Sequence, residues 1–309
     1  MRSCMVRNHY KIFCIWTSLS ELPIRNQHLK MANTNVRWAF KVSEWHPSLD
    51  DILVASSYIQ PEEIERLSKY HYQNDAKSSL AGRLLLRKYI HIATNIPYEE
   101  IRCSRDERGK PYVAGVGDVP VSFNVSHHGD FVVLAGNTRQ NIGIDVMRIE
   151  PPVNKDIPEF FRLMKRNLTD HEWSTVRLFP TGIQQMACFY RIWSLKEAYS
   201  KNLGYGIVLP FDKISFHLKN HHLEMGKIDV STELYADNVL RNDYVFEETL
   251  LDNQHTVAVA LKVEDKANHV PTPYTLLNFE ELVSEAKALH PPDYDFSTLF
   301  MKKAKKILL

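Results

Sequence analysis

A chain of 309 residues, 44% hydrophobic and 24% charged, has ordinary globular composition, and its length exceeds what one core usually supports, so two lobes are expected. A formal net charge of +1 excludes a global pull toward nucleic acid or membrane surfaces and leaves anion binding to local clusters. Four scattered cysteines with no CxxC pair argue against a disulfide framework or structural zinc and fit a reducing, cytoplasmic setting, and no apolar run approaches the roughly 20 residues of a membrane span.

Residues 1–31 form a basic extension, with Arg2, Arg7, Lys11, Arg25 and Lys30 against one acid, Glu21. Globular patterning begins after Met31, so this stretch reads as disordered or untranslated rather than as a working signal. Val36–Val42 alternates like a strand, and Pro61 opens a helix with acids in its first turn. Asn74 caps a second helix whose Leu80, Leu84 and Leu85 form a core stripe and whose Gly82 permits close packing. Arg66, Arg83 and Arg87 read first as solvated helix-face charges.

Arg105–Pro111 (RDERGKP) is a turn in which Gly109 can aim backbone N–H groups at an anion while Arg105, Arg108 and Lys110 supply charge, although alone it is a common exposed turn. Strand-like segments follow at Val121–Ser126, Phe131–Ala135 and Ile142–Ile149, the first two joined by His127–Asp130. In the third, Asp145 is a carboxylate within an apolar strand and requires a cation, a donor or a metal. Short helices are expected at Glu159–Arg166 and Asp170–Leu178, with Thr169 capping the second, and then a long helix whose second half is Phe189–Gly206. On that helix Glu197 and Lys201 stand four apart, about 6 Å along the axis, and share one face. By themselves they are a surface ion pair. Further strands are expected at Ile214–His217, Tyr244–Glu247 and His255–Val263, and the expected divisions are lobes at 32–138 and 139–265 and a loosely packed tail at 266–309.

Hydrolytic readings fail. Ser126 and His127 are neighbours whose side chains diverge on a strand, adjacent His127 and His128 do not converge on one ion, and no HExxH, P-loop or GxGxxG pattern is present. What remains is a strand carboxylate, a helix carboxylate with a lysine, and dispersed bases. That donor set suits a hard divalent cation holding a polyphosphate, and hence phosphoryl-type transfer.

Four stretches in order, GKP at 109–111, NVSH at 124–127, IGID at 142–145 and WSLKEAYSK at 193–201, resemble the 4′-phosphopantetheinyl transferases of the long, monomeric, Sfp-type class, and the likeness runs from Val36 to Val263 with a further stretch at Tyr274–Phe279. The resemblance implies an α+β fold of two similar lobes related by pseudo-two-fold symmetry, with coenzyme A between them. It implies transfer of 4′-phosphopantetheine to a serine of apo acyl or peptidyl carrier domains, such as those of fatty acid synthase and aminoadipate-semialdehyde dehydrogenase-like enzymes, with adenosine 3′,5′-bisphosphate leaving. By position in the motifs, Asp145 and Glu197 match Mg²⁺ ligands, Glu197 also the general base, and Lys201 the lysine beside it. Lys196, Arg66, Arg105, Arg108, Gly109, Lys110, Asn124, Val125, Ser126 and His127 match coenzyme-binding positions, together with Glu197 and Lys201. Two departures stand out: Met147 occupies the place of a third acid, and His128 that of a glutamine. The competing readings are a non-catalytic coenzyme A or carrier-binding module and, more weakly, a kinase-like phosphotransferase.

Overall fold

The computed structural model describes residues 34–106, 111–114, 121–204 and 210–305. In chain order the elements are β1 (Asn35–Lys41), α1 (Leu49–Ser57), α2 (Pro61–Ser68), α3 (Gln73–Thr94), β2 (Cys103–Arg105), β3 (Pro111–Val113), β4 (Ser122–His128), β5 (Phe131–Asn137) and β6 (Ile142–Arg148). Then come α4 (Ile157–Leu163), α5 (Asp170–Arg177), α6 (Gly182–Leu203), β7 (Ile214–His217), β8 (Glu233–Ala236), β9 (Val239–Leu240), β10 (Tyr244–Asp252), β11 (His255–Lys262), β12 (Tyr274–Leu277), α7 (Phe279–Val283) and α8 (Tyr294–Met301).

Strand alternation builds the layers. One sheet has the order β12-β1-β5-β4 and another β10-β11-β6. In β5, Val132 and Leu134 face α3 and the first core, while Val133 and Ala135 face the second sheet. In β11, Val257, Val259 and Leu261 meet that shared interior, while Ala258 and Ala260 face α6. The result is helix, sheet, sheet, helix, with α3 and α6, each of 22 residues, on the outside. A fully buried aliphatic side chain such as Leu80 or Ile144 contributes about 1.5–3 kcal/mol relative to exposure.

The expected strands and long helices are present; α1 was not expected, α3 has Tyr72 and not Asn74 as its N-cap, and three further differences bear on the packing. The segment read as a connection at His127–Asp130 continues as strand through His128, and the turn narrows to Gly129, at φ +57°, and Asp130. Arg83 and Arg87 are buried, at 8% and 1% exposure, instead of solvated. Arg87 donates to the carbonyls of Tyr98 and Ile101, and Arg83 pairs with Glu63 at 3.3 Å. Third, the tail is not loose. β12 pairs in parallel with β1, Phe279 stacks on Trp45 with ring centroids 5.0 Å apart, and Leu277, Leu282, Phe296 and Phe300 enter the first core.

Two consecutive acids on β10 point to opposite faces, as strand geometry requires. Glu247 reaches between the sheets to Arg37 at 2.7 Å, both side chains fully buried, and Glu248 reaches toward α6 to Arg191 at 2.7 Å. Burial opposes ionisation of Glu247, but the bonds from His269, Arg37 and the Thr272 N–H prevail and hold its pKa below 4.5.

Candidate active site

The site forms where α6 lies on β6. Gly143 allows this approach, since a Cβ there would collide with the Ala198 carbonyl and the Asn202 backbone. Asn202 fastens the end of α6 by donating to the carbonyls of Asn141 at 2.7 Å and Ala260 at 3.0 Å, and Gly204, left-handed at φ +73°, ends the helix. Close packing brings Lys201 and Glu197 beside Asp145.

Lys201 commits its ammonium to Asp145 Oδ1 at 2.7 Å, Ser126 Oγ at 2.9 Å and the Ile144 carbonyl at 3.1 Å. An ammonium has three donors, so none remains for Glu197. Lys201 thus clamps Asp145, although it stands one turn from Glu197 on the same helix. The Ser126 hydroxyl also donates to Oδ1, at 2.8 Å. Oδ1 thus has two partners, whereas Oδ2 is buried with none. Among the described residues Glu197 has no hydrogen-bond or ion-pair partner, and its half-burial and then the Asp145 charge push its pKa up, with Lys201 opposing. Two carboxylates that sense each other, one with a buried orphan oxygen, match the hard oxygen donors that Mg²⁺ takes.

β4 carries the opposite wall. Its alternate residues lace onto β6: Ser122 Oγ accepts from the Ile142 N–H at 3.1 Å, Asn124 Oδ1 from Ile144 at 3.2 Å and His128 Nδ1 from Arg148 at 2.8 Å. His128 is thereby committed through one nitrogen to holding two strands together. On the other face of β4, Val125 and His127 line a cleft of about 530 Å³ with Arg66, Arg105 and Asn124. Crowding by the protein and then the Lys201 charge lower the pKa of His127. Arg83 and Cys103 also line this cleft, and burial pushes the Cys103 thiol up to about 12, so it stays protonated.

Lys196 is elsewhere. Its ammonium is fully buried behind α6, 2.9 Å from Glu172 and donating to the carbonyls of Phe211 and Ile214. The expectation of a coenzyme contact from Lys196 is corrected: with every donor spent on Glu172 and the carbonyls of Phe211 and Ile214, it holds the fold. Arg108, Gly109 and Lys110 lie outside the described residues. The sequence reading missed Arg83; the signal that could have found it is that positions 80, 83, 84 and 87 form one helical stripe that includes two core leucines. Met147 packs with the apolar core beside α6.

A second group of metal-ligand type is Asp130, Asp252 and His255, with candidate ligand atoms within 4.8 Å of one another. Both imidazole nitrogens are occupied, Nε2 by the Asp130 N–H at 3.1 Å and Nδ1 by Asp252 at 2.8 Å. This group braces the β4–β5 turn.

Comparison with known proteins decides the family. The profile described as 4′-phosphopantetheinyl transferase, N-terminal matches residues 43–139, and that of the 4′-phosphopantetheinyl transferase superfamily matches 141–260. The chain belongs to the 4′-phosphopantetheinyl transferase superfamily. Within it, the human L-aminoadipate-semialdehyde dehydrogenase-phosphopantetheinyl transferase is 38% identical over 86% of this chain and 90% of its own length. The Xenopus laevis protein of the same name is 38% identical over 87% of this chain and 92% of its own. The 4′-phosphopantetheinyl transferase Sfp of Bacillus subtilis is 33% identical over 52% of this chain and 67% of its own. Within the superfamily the junction of the two profiles, at residue 140, falls between β5 and β6, where the chain passes from one sheet to the other. Among the described residues no helix is long and apolar enough to cross a membrane.

Proposed function

We propose that this phosphopantetheinyl transferase is a Mg²⁺-dependent, cytoplasmic holo-carrier synthase that moves 4′-phosphopantetheine from coenzyme A to a serine of apo acyl carrier domains. The observation that carries the metal reading is the buried, unpartnered Oδ2 of Asp145 beside Glu197. Asp145 and Glu197 would hold Mg²⁺, which when bound supplies charge neutralisation at the coenzyme diphosphate and eases departure of the leaving group. The residues of the chain do the rest. Glu197, facing Asp145 from α6 with its carboxylate uncommitted among the described residues, is suited to accept the serine proton, an effect worth about 10²–10⁴ in rate. Lys201 and Ser126 keep Asp145 in place. Arg66, Arg105, Asn124, Val125 and His127 wall the cleft that suits the nucleotide end, and fixing that end supplies orientation at the reacting phosphorus.

Two sheets, each backed by a 22-residue helix, support the reading of two similarly built lobes related by pseudo-two-fold symmetry. The free thiols of Cys103 and Cys188 suit a cytoplasmic site, and a monomer that serves several carrier-bearing enzymes is the reading we adopt. The test is intact mass of an apo acyl carrier protein after incubation with the protein, coenzyme A and Mg²⁺. A gain of one phosphopantetheine arm is expected. No gain, with an active relative alongside, would overturn the proposal.

A further inference from the structure

Ser126 departs from the pattern of its own strand. Ser122, Asn124 and His128 each accept a backbone N–H of β6, from residues 142, 144 and 148. Each pair is offset by 20 positions, so β4 and β6 run in the same direction with side chains in place of a backbone ladder. Ser126 is the fourth member of this row, yet its hydroxyl is spent on side chains. It accepts from Lys201 at 2.9 Å and donates to Asp145 Oδ1 at 2.8 Å. The residue is 7% exposed, which leaves little of it for a coenzyme to touch.

We infer that Ser126 is a positioning residue for the metal-binding carboxylate: with Lys201 it fixes Asp145 through Oδ1, so that Oδ2 is the oxygen presented to the ion. The motif resemblance places Ser126 among coenzyme contacts. The geometry gives it a different task, and this inference rests on the Mg²⁺-dependent reading above. A carboxylate held by Lys201 alone can turn about its Cβ–Cγ bond and share the ammonium between both oxygens. A second donor on the same oxygen removes that freedom. Groups that orient a ligand from behind in this way typically change metal affinity by about 10–100-fold when removed.

The test uses the full chain and Mn²⁺ as a spectroscopic stand-in for Mg²⁺, with free Mn²⁺ followed by electron paramagnetic resonance. Ser126→Ala is expected to weaken Mn²⁺ binding by about 10–100-fold. Metal-free affinity for adenosine 3′,5′-bisphosphate should stay unchanged, and turnover should be recovered at saturating metal. Ser126→Thr, which keeps the hydroxyl, should retain wild-type metal affinity. In an Asp145→Asn background Ser126→Ala should have no further effect on Mn²⁺, because the two act as one unit. Unchanged Mn²⁺ affinity in Ser126→Ala overturns the inference, and so does a loss of metal-free nucleotide binding, which a coenzyme contact would give. Wild-type protein that transfers the arm without any divalent ion overturns the metal reading and Ser126's role with it. Wild-type protein that binds Mn²⁺ but modifies no carrier overturns the transferase proposal and leaves the Ser126 result to stand by itself.

Discussion

At the scale of single residues, adjacent positions on α6 have opposite fates. Lys196 and Glu197 are neighbours in sequence, yet one is sealed in the second core and the other faces Asp145. Their chemistry should separate accordingly. Glu197→Gln is expected to reduce transfer by about 10²-fold or more while coenzyme A binding, measured calorimetrically, persists. Lys196→Met should leave Glu172 as an uncompensated buried charge and cost about 3–5 kcal/mol in urea unfolding, with coenzyme A affinity of the folded fraction unaltered. Adding Glu172→Gln should return part of that stability. A selective loss of coenzyme A affinity in Lys196→Met would restore the role that the motif alone assigns to it. The sequence marked both residues as special without telling them apart, because a helical period of 3.6 places neighbours about 100° around the axis and does not say which side holds the core.

Among elements, the contact of α6 with β6 depends on one absent side chain. Gly143→Ala should cost about 1–3 kcal/mol through overpacking, and transfer should fall further than unfolding explains, since the helix that moves away carries Glu197. Apolar alternation made β1, β4, β5, β6, β10 and β11 legible, and capping made α5 legible, with Thr169 and Glu172 forming the reciprocal box. The segment from Tyr274 to Met301 was not legible. β12 has four residues, of which only Leu277 is buried, and α7 has five, so neither offers a periodic run long enough to read. Their order comes from tertiary pairing with β1 and Trp45. Phe300, fully buried, makes this measurable: Phe300→Ala should cost about 3–5 kcal/mol, seen as a lowered midpoint in denaturant. A shift within experimental error would return this segment to the status of a loose tail.

Across the whole molecule, the two sheets are joined by an apolar interior and pinned by Arg37 on β1 to Glu247 on β10. The folded state holds Glu247 below its ordinary pKa of 4.5, so the stabilisation is fully present above 4.5 and is lost as pH falls through the lower folded value. Thermal melts from neutral into acid should therefore steepen below 4.5 in the wild type. Glu247→Gln should be less stable at neutral pH and should flatten this part of the acid limb. A profile identical to that of the wild type would show that the pair does not couple to protons. Here the sequence was not informative: neither Arg37 nor Glu247 was singled out, since 210 residues separate them and nothing local pairs them.

Because β12 adds to β1 and α8 fills the hollow beneath α1 and α3, the half of the protein synthesised first lacks part of its own interior until residues beyond 274 have been made. The second sheet, whose three strands and helix are contiguous from Ile142 to Lys262, is complete earlier. A released chain ending at residue 263 should therefore protect β6, β10 and β11 from proteolysis better than β1, the reverse of the usual amino-to-carboxyl order of maturation.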